Sequence, residues 1–374
     1  MNIGFDAKRI THNGTGLGSY GRTLVNGLAG IVADSSQLLL YSPDEGRDDL
    51  RQQIATSDHL RFVYPQTALP KWIWRSHTIV NDLLRDRIDV FHGLSGELPR
   101  GIRKTGIRSI VTIHDLIFLR HPEYYNWIDS KIYHHKFLQT IKEADRIVAI
   151  SECTKRDIMH YGHVAEERIS VVYQSCGSFF KQRAHTEKLQ EVKKQYLLPE
   201  RYIVNVGTIE ERKNILLAVK ALKMIPQEVS LVIVGRTTRY CDKVREYINA
   251  NHLQQRVHIL HGVPNNDLPA IYQIAEACVY PSRYEGFGIP IIEAIQSGLP
   301  VVACKGSCLE EAGGSDCLYV DPDDVEAMAI AIGKVLKDAD GREERIAKAQ
   351  QYITRFEGRD VARQMLDIYQ ELCN

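Results

Sequence analysis

No stretch of this chain is apolar for the roughly 18 residues that a membrane-spanning helix requires. Net charge is missing too: 47 Lys and Arg balance 47 Asp and Glu, for a formal charge of +0 and a pI near 7.2. Without a basic field to collect phosphates, nucleic-acid binding falls well down the order of functions. The first residues, MNIGFDAKRI, carry neither the apolar core of a signal peptide nor an Arg-rich transit pattern. Eight cysteines are present, but none forms a C-x-x-C pair. Cys304, Cys308 and Cys317 cluster without a fitting histidine, so free thiols are preferred to a metal site and a reducing cytoplasm is the expected location. A G-x-S-x-G elbow is absent, which argues against Ser–His–Asp hydrolysis.

What is there suits two globular domains: 374 residues, 44% hydrophobic and 25% charged. Strand-length apolar runs at 2–6, 37–41, 88–91, 109–113, 146–150 and 169–172 alternate with helical patterns near 18–32, 71–87, 129–143 and 152–161. The chain turns polar after Ser175, with no strand as far as about Pro199. Alternation then restarts with runs at 202–207, 230–235, 256–262, 277–282 and 299–303. This pattern predicts an α/β protein with two Rossmann-like, doubly wound parallel sheets. The expected boundaries are an N-terminal domain over 1–176, a linker over 177–199 and a C-terminal domain over 200–355. A final amphipathic helix within 356–374 is expected to pack back on the N-terminal domain. Ligands bind at strand carboxyl ends in such sheets, which makes the cleft between facing domains the expected site.

Several clusters could carry chemistry there. GTGLGSYGRTL contains G-x-G-x-x-G at Gly16, Gly18 and Gly21, ahead of a helix that could offer its amides to an anion. It is a flawed dinucleotide fingerprint, because its first glycine lies ten residues beyond the strand end and no acidic residue ends the second strand. A loop touching a ligand phosphate or sugar is the preferred reading over an NAD site or a plain turn. His114 and Asp115 follow one strand and His92 follows another, so they could line the cleft, although a histidine at a strand end is more often structural. Arg212 and Lys213 precede a helix expected to start at Asn214, where cations oppose the helix dipole. They are either solvated surface charges or one half of a diphosphate clamp.

The segment RYEGFGIPIIEAIQSGLPVV sets Glu285 and Glu293 on either side of Gly286, Phe287, Gly288, Ile289 and Pro290. At a helical rise of about 1.5 Å per residue the eight-residue offset spans on the order of 12 Å, about the reach from a sugar across a diphosphate to a ribose. Carboxylates accept hydrogen bonds from vicinal hydroxyls, and the amides at a helix start are free donors. A nucleotide-sugar laid along this segment would use both glutamates.

EGFGIPIIE followed by SGLPVVA resembles the E-x7-E motif of the retaining glycosyltransferases of family 4, in their mannosyltransferase-like branch, which have the two-Rossmann GT-B fold. GTGLGSYGR, TIHDLIFLRHPEYY, ADRIVAISECTKRDI, ISVVYQS, VGTIEERKN, HGVPNNDL and VYPSRYEGFGIPIIEA look like that family's blocks in the family's order. The resemblance implies that Glu285 meets the transferred sugar with the amides of Gly286, Phe287 and Gly288, beside Ile289. It implies that Glu293 holds the ribose hydroxyls, and that Lys213 and Arg212 neutralise the diphosphate. Gly16 would let a loop close over the phosphates, Gly207 would lie at the donor, and His114 would contact its sugar. His92 and Asp115 are the acceptor candidates. Thr208 stands where the family commonly carries an arginine, which puts more weight on Arg212.

The activity so implied is hexose transfer, mannose from GDP-mannose before uracil-linked sugars, with retained configuration and no metal or other cofactor. Asp321 and Asp323 are read as a helix start and not as metal ligands. The expected acceptor is a glycan or lipid-linked hydroxyl, as in surface polysaccharide assembly. A nucleotide-sugar epimerase or phosphorylase and a non-catalytic sugar-nucleotide binder stay open as alternatives. The stretch 68–87, with Trp72, Trp74, Lys71, Arg75, Arg85 and Arg87, reads either as a peripheral contact with the inner face of a membrane or as a core-facing helix with solvated cations.

Overall fold

In the computed structural model, which describes residues 1–374, the apolar runs in the first half of the chain form one parallel sheet. Its strands are β1 (Asn2–Asp6), β2 (Gln37–Tyr41), β3 (Leu60–Val63), β4 (Val90–Gly93), β5 (Arg108–Ile113), β6 (Arg146–Ala149) and β7 (Ile169–Val171). They stand in the order β3-β2-β1-β4-β5-β6-β7. Helices cover both faces, so central strands such as RSIVTI in β5 are buried at nearly every position and read as apolar runs, not as alternation. The chain first adds strands to one side of β1 and then to the other. That reversal leaves a crevice at the carboxyl ends of β1 and β4.

A second parallel sheet holds β8 (Arg201–Val206), β9 (Val229–Val234), β10 (Val257–Leu260), β11 (Ala277–Tyr280), β12 (Val301–Cys304) and β13 (Leu318–Val320). Its order, β10-β9-β8-β11-β12-β13, reverses between β8 and β11. Both sheets are doubly wound and parallel, as the alternation predicts. The chain divides into one unit of Met1–Ser175 with Phe356–Asn374 and another of Cys176–Arg355.

The last helix, Gly358–Cys373, buries Val361, Ala362, Met365, Leu366, Ile368 and Tyr369. They join the core cluster of the first unit, beside Ile3, Phe5 and Leu24. Its backbone comes so close to the Gly16–Ala29 helix that a Cβ on Gly27 would lie 2.9 Å from Ala362 Cβ.

Local departures from expectation have local causes. LRFV in β3 and LYV in β13 were not among the strands expected. Both are short edge strands with too little apolar length to stand out. Residues 71–87 do not form one helix: Lys71–Ile73 and Ile79–Arg85 are separated by a π-helical turn at Trp74–Thr78. The Ser76 hydroxyl donates to Trp72 O at 2.6 Å, which competes with the backbone ladder there. Trp74 is buried at the bulge, and its indole N–H donates to Asp82 at 2.7 Å. The polar stretch 177–199 does lack strands, but it holds a helix, Thr186–Gln195, with Val192 buried.

Candidate functional site

In the second unit the loops after β8 and β11 emerge side by side, because these strands are neighbours in register Ala277↔Ile203. Beyond β8 the chain passes through Gly207, at φ 151°, to a 3-10 turn at Glu211–Lys213. Asn214 then takes a left-handed conformation, and the helix starts at Ile215 and not at Asn214 itself. The turn aims Arg212 and Lys213 at the loop beyond β11. Lys213 Nζ lies 2.5 Å from Glu285 Oε1, and Arg212 Nη1 lies 2.7 Å from Glu285 Oε2. The Lys213 ammonium also donates to the Tyr280 hydroxyl at 2.7 Å, while Arg212 Nη2 donates to Glu210 at 2.6 Å.

Arg212 and Lys213 are therefore neither solvated surface charges nor cations left without a counter-charge. The anion that balances them is within the chain. Glu285 is only 8% exposed, and burial alone would raise its pKa. Lys213 and then Arg212 overcome that and hold its pKa down to about 2. Burial works against both cations as well, yet Glu285 keeps their pKa values raised. The cluster is a desolvated carboxylate bridging two cations, with one positive charge in excess before Glu210 is counted.

The loop that carries Glu285 is tied down from behind. The buried Cys308 thiol donates to Glu285 O at 3.0 Å and to Phe287 O at 2.5 Å, so this cysteine holds a backbone turn. Cys304 and Cys317 are likewise buried free thiols. Gly286 and Phe287 are buried, and Gly288 has φ 157°, where a Cβ would come within 3.0 Å of Ala312 Cβ. The helix Ile289–Gln296 follows, with Pro290 in its first turn. Helical rise applies only from Ile289 onward, so the 12 Å spacing expected for the two glutamates does not describe this segment. Glu293, half-buried, accepts from the Tyr272 hydroxyl at 3.2 Å. Burial pushes its pKa up to about 7, opposed in part by that bond.

In the first unit the glycine motif divides into distinct roles. A Cβ on Gly18 would lie 1.8 Å from Asn13 O, so this position needs glycine for folding. The Arg22 guanidinium, donating to Ile10 O at 2.8 Å and Asn13 O at 2.9 Å, fixes the same loop. Gly16, at the first position of its helix, faces open space. His114 is half-buried, with Nε2 2.8 Å from Leu94 O and Nδ1 2.9 Å from Gln174 Nε2. Those partners assign the ring proton to Nε2. Tyr20 packs edge-on against the ring at 4.8 Å, and burial lowers its pKa to about 4, so the ring is neutral at ordinary pH.

His92 does not line a surface. It is 0% exposed, with Nδ1 2.7 Å from the Tyr369 hydroxyl and Nε2 2.8 Å from the Thr112 hydroxyl. As a strand residue pointing into the core it cements the last helix, and its expected contact with an acceptor is withdrawn on that ground. Asp115 is half-buried and accepts from Ile117 N at 3.2 Å, at the start of a short helix. In 68–87, Trp72 is 70% exposed whereas Trp74 is 1% exposed. Arg75 is not a solvated cation, since it is held between Asp6 and Glu97. No helix is long and apolar enough to cross a membrane. Asp323 pairs with Arg283, and the Asp324 side chain caps the helix that starts at Val325.

Tyr280, Tyr272 and Gln174 were not singled out from the sequence, and Cys308 was read there only as a free thiol. Tyr280 had a signal, its place at the end of the VYPS strand next to the Glu285 loop. The others are recognisable only through their partners.

The chain matches the family model described as glycosyltransferase family 4 over residues 15–175 and that of glycosyl transferases group 1 over residues 188–352. It is 28% identical to O-antigen chain mannosyltransferase B of Escherichia coli, over 100% of both chains. It is 29% identical to O-antigen chain mannosyltransferase RfbU of Salmonella typhimurium, over 66% of this chain and 65% of that one. Among solved structures, Anabaena HepE in complex with UDP and glucose superposes with a TM-score of 0.74 at 17% identity, covering 99% of this chain and 100% of that one. Two family models matched in order, and two doubly wound sheets of the matching architecture, lead to one conclusion: the chain belongs to the glycosyltransferases of family 4 and has the GT-B fold.

Proposed function

We propose that this glycosyltransferase moves a hexose, mannose from GDP-mannose, from a nucleotide-sugar to a hydroxyl of a glycan or lipid-linked acceptor with retained anomeric configuration. The observation that carries the reading is the Arg212–Lys213–Glu285 cluster at the carboxyl ends of β8 and β11. A nucleoside diphosphate gains negative charge as the glycosidic bond breaks, and two desolvated cations held in place stabilise that charge without reorganising. Glu285, fixed as an anion, keeps both cations at one point and offers an acceptor to sugar hydroxyls. The bond from the anomeric carbon to the diphosphate oxygen breaks as the acceptor oxygen bonds from the same face. The acceptor proton leaves with the diphosphate. No residue serves as a covalent nucleophile, and Arg212 and Lys213 supply the positive charge that a metal would otherwise bring.

Glu293, near the amino end of its helix, suits the vicinal hydroxyls of a ribose. The amides of Gly286, Phe287, Gly288 and Ile289 and the turn at Gly207 suit the sugar and phosphates. Gly16, with open space at its Cα, lets a backbone approach a phosphate, and His114 is a neutral ring suited to a sugar contact. Mannose rests on the names of the two mannosyltransferase relatives. A nucleotide-linked donor rests on the UDP bound to the Anabaena neighbour. A thermal-shift panel of GDP, UDP and their sugars, followed by NMR of the product's anomeric centre, tests the reading. Stabilisation by GDP above UDP and an α-linked product from GDP-α-mannose are expected. An inverted product, or turnover of the donor to a new sugar nucleotide with no acceptor, would overturn it.

A further inference from the structure

A cavity of the first unit lies where its sheet reverses direction. It holds about 790 Å3, and Asp6 at the end of β1 and Glu97 just beyond β4 contribute to its lining. That is the size and place of a small-molecule site in a doubly wound sheet. None of the residues assigned above to the sugar nucleotide lines it.

Its charge is lopsided. Lys8, Lys71, Arg75, Arg100 and Lys136 face three carboxylates, Asp6, Asp44 and Glu97. Every carboxylate is already balanced: Asp6 by Arg75 at 2.5 Å, Asp44 by Lys71 at 2.6 Å and Glu97 by Lys136 at 3.1 Å. The excess of two positive charges therefore resides on Lys8 and Arg100. Lys8 is half-buried, and both that burial and the nearby Arg75 guanidinium lower its pKa. A cation crowded in this way is relieved by an incoming anion. His77 and His135 add further imidazole nitrogens to the lining, while His12 is already held against Asp44 at 2.8 Å. On the same lining the ring of Trp72 is 70% exposed, a flat apolar surface of the kind that receives the C–H face of a sugar.

We propose that this groove is the acceptor site and that it takes a saccharide bearing a phosphate ester, with Lys8 and Arg100 on the phosphate and Trp72 on the sugar. The proposal rests on the glycosyltransferase reading above and narrows its acceptor class. The Asp6–Arg75–Glu97 network forms a fixed polar floor, so no cation need be freed from an ion pair for the phosphate to bind.

The test compares α-1,2-mannobiose with its 1-phosphate by titration calorimetry. The phosphate ester is expected to bind at least about tenfold more tightly, a difference of about 1.4 kcal/mol. Lys8→Gln with Arg100→Gln should abolish that preference, and Lys8→Arg with Arg100→Lys should restore most of it. Equal binding of the two ligands, or a preference that survives the double glutamine variant, would overturn the proposal. Phosphatidylglycerol vesicles displacing the phosphodisaccharide would also overturn it, by making a lipid headgroup the occupant. GDP titrated into the wild-type chain separates the two levels. GDP binding without phosphate preference defeats the acceptor site alone, whereas no nucleotide binding to any form defeats the parent reading.

Discussion

Lys213 and Glu285 come from different strand ends, yet the ammonium and the carboxylate oxygen meet at 2.5 Å. Each would be costly alone in so dry a place; together, with Arg212, they form a charged joint that fixes both loops. On the proposed reading, a donor diphosphate arriving there would share cations that already have a partner, and phosphate would bind by competition with the site's own carboxylate.

Lys213→Ala removes one of the two charges proposed to face the leaving group. Loss of a charge-assisted contact of roughly 1.5–3 kcal/mol corresponds to a transfer rate about ten- to a hundredfold lower. Initial rates with GDP-mannose measure it. A variant with unaltered rate and donor affinity would remove Lys213 from the mechanism.

Glu285→Gln leaves Lys213 buried without its counter-charge and Arg212 with Glu210 alone, at a cost of about 3 kcal/mol in urea unfolding. The contribution has a defined pH window. Its pKa is held at about 2 in the folded chain against an ordinary 4.5, so the stabilisation is complete above 4.5 and is lost as pH falls through about 2. The difference in stability between wild type and Glu285→Gln should shrink across that interval.

Glu293 has the opposite sign. Burial raises its pKa to about 7, so the folded chain favours the protonated form, and that contribution is lost as pH rises through about 7. If ribose hydroxyls donate to the carboxylate as proposed, nucleotide affinity should increase with pH across the same point. Glu293→Gln should flatten this profile and weaken nucleotide binding, and a wild-type profile retained in that variant would exclude the ribose role.

Gly16 and Gly18 should separate folding from function. Gly18→Ala drives a methyl into Asn13 O, 1.8 Å from the ideal Cβ position, and is expected to cost about 2 kcal/mol or more in thermal unfolding. Gly16→Ala should melt like wild type but transfer more slowly.

Tyr369→Phe takes the hydroxyl from His92 Nδ1 and should cost about 1–3 kcal/mol, the penalty of a buried polar group without its partner. Transfer rates at temperatures where the variant is folded should be unchanged. A selective loss of acceptor binding would return His92 to the site.

The two sheets were legible because buried parallel strands are written as apolar runs, and YIVNVG and SLVIVG can hardly be read otherwise. The members of the charged cluster were legible one at a time: Arg212 and Lys213 as cations in an awkward place, Glu285 as an acid beside glycines. Their union was not, because it depends on β8 and β11 being neighbours, a fact of topology that no local window contains. His92 misled for the same reason, since a strand-end residue can face core or solvent and its partner Tyr369 is far away in the chain. The π turn at Trp74–Thr78 was hidden because one serine hydroxyl and one buried indole decide it, against a pattern that otherwise reads as helix.

The return of Gly358–Cys373 to the first unit also orders events during synthesis. The apolar face of that helix completes the hydrophobic layer beside β1, so the half of the protein translated first is the half that closes last. The second unit, continuous from Cys176 to Arg355, can mature while the earlier sheet still lacks one wall. During that interval the gap beside Leu24 and Val25 exposes an apolar strip to the surrounding solution, where a ribosome-associated chaperone would have its best purchase.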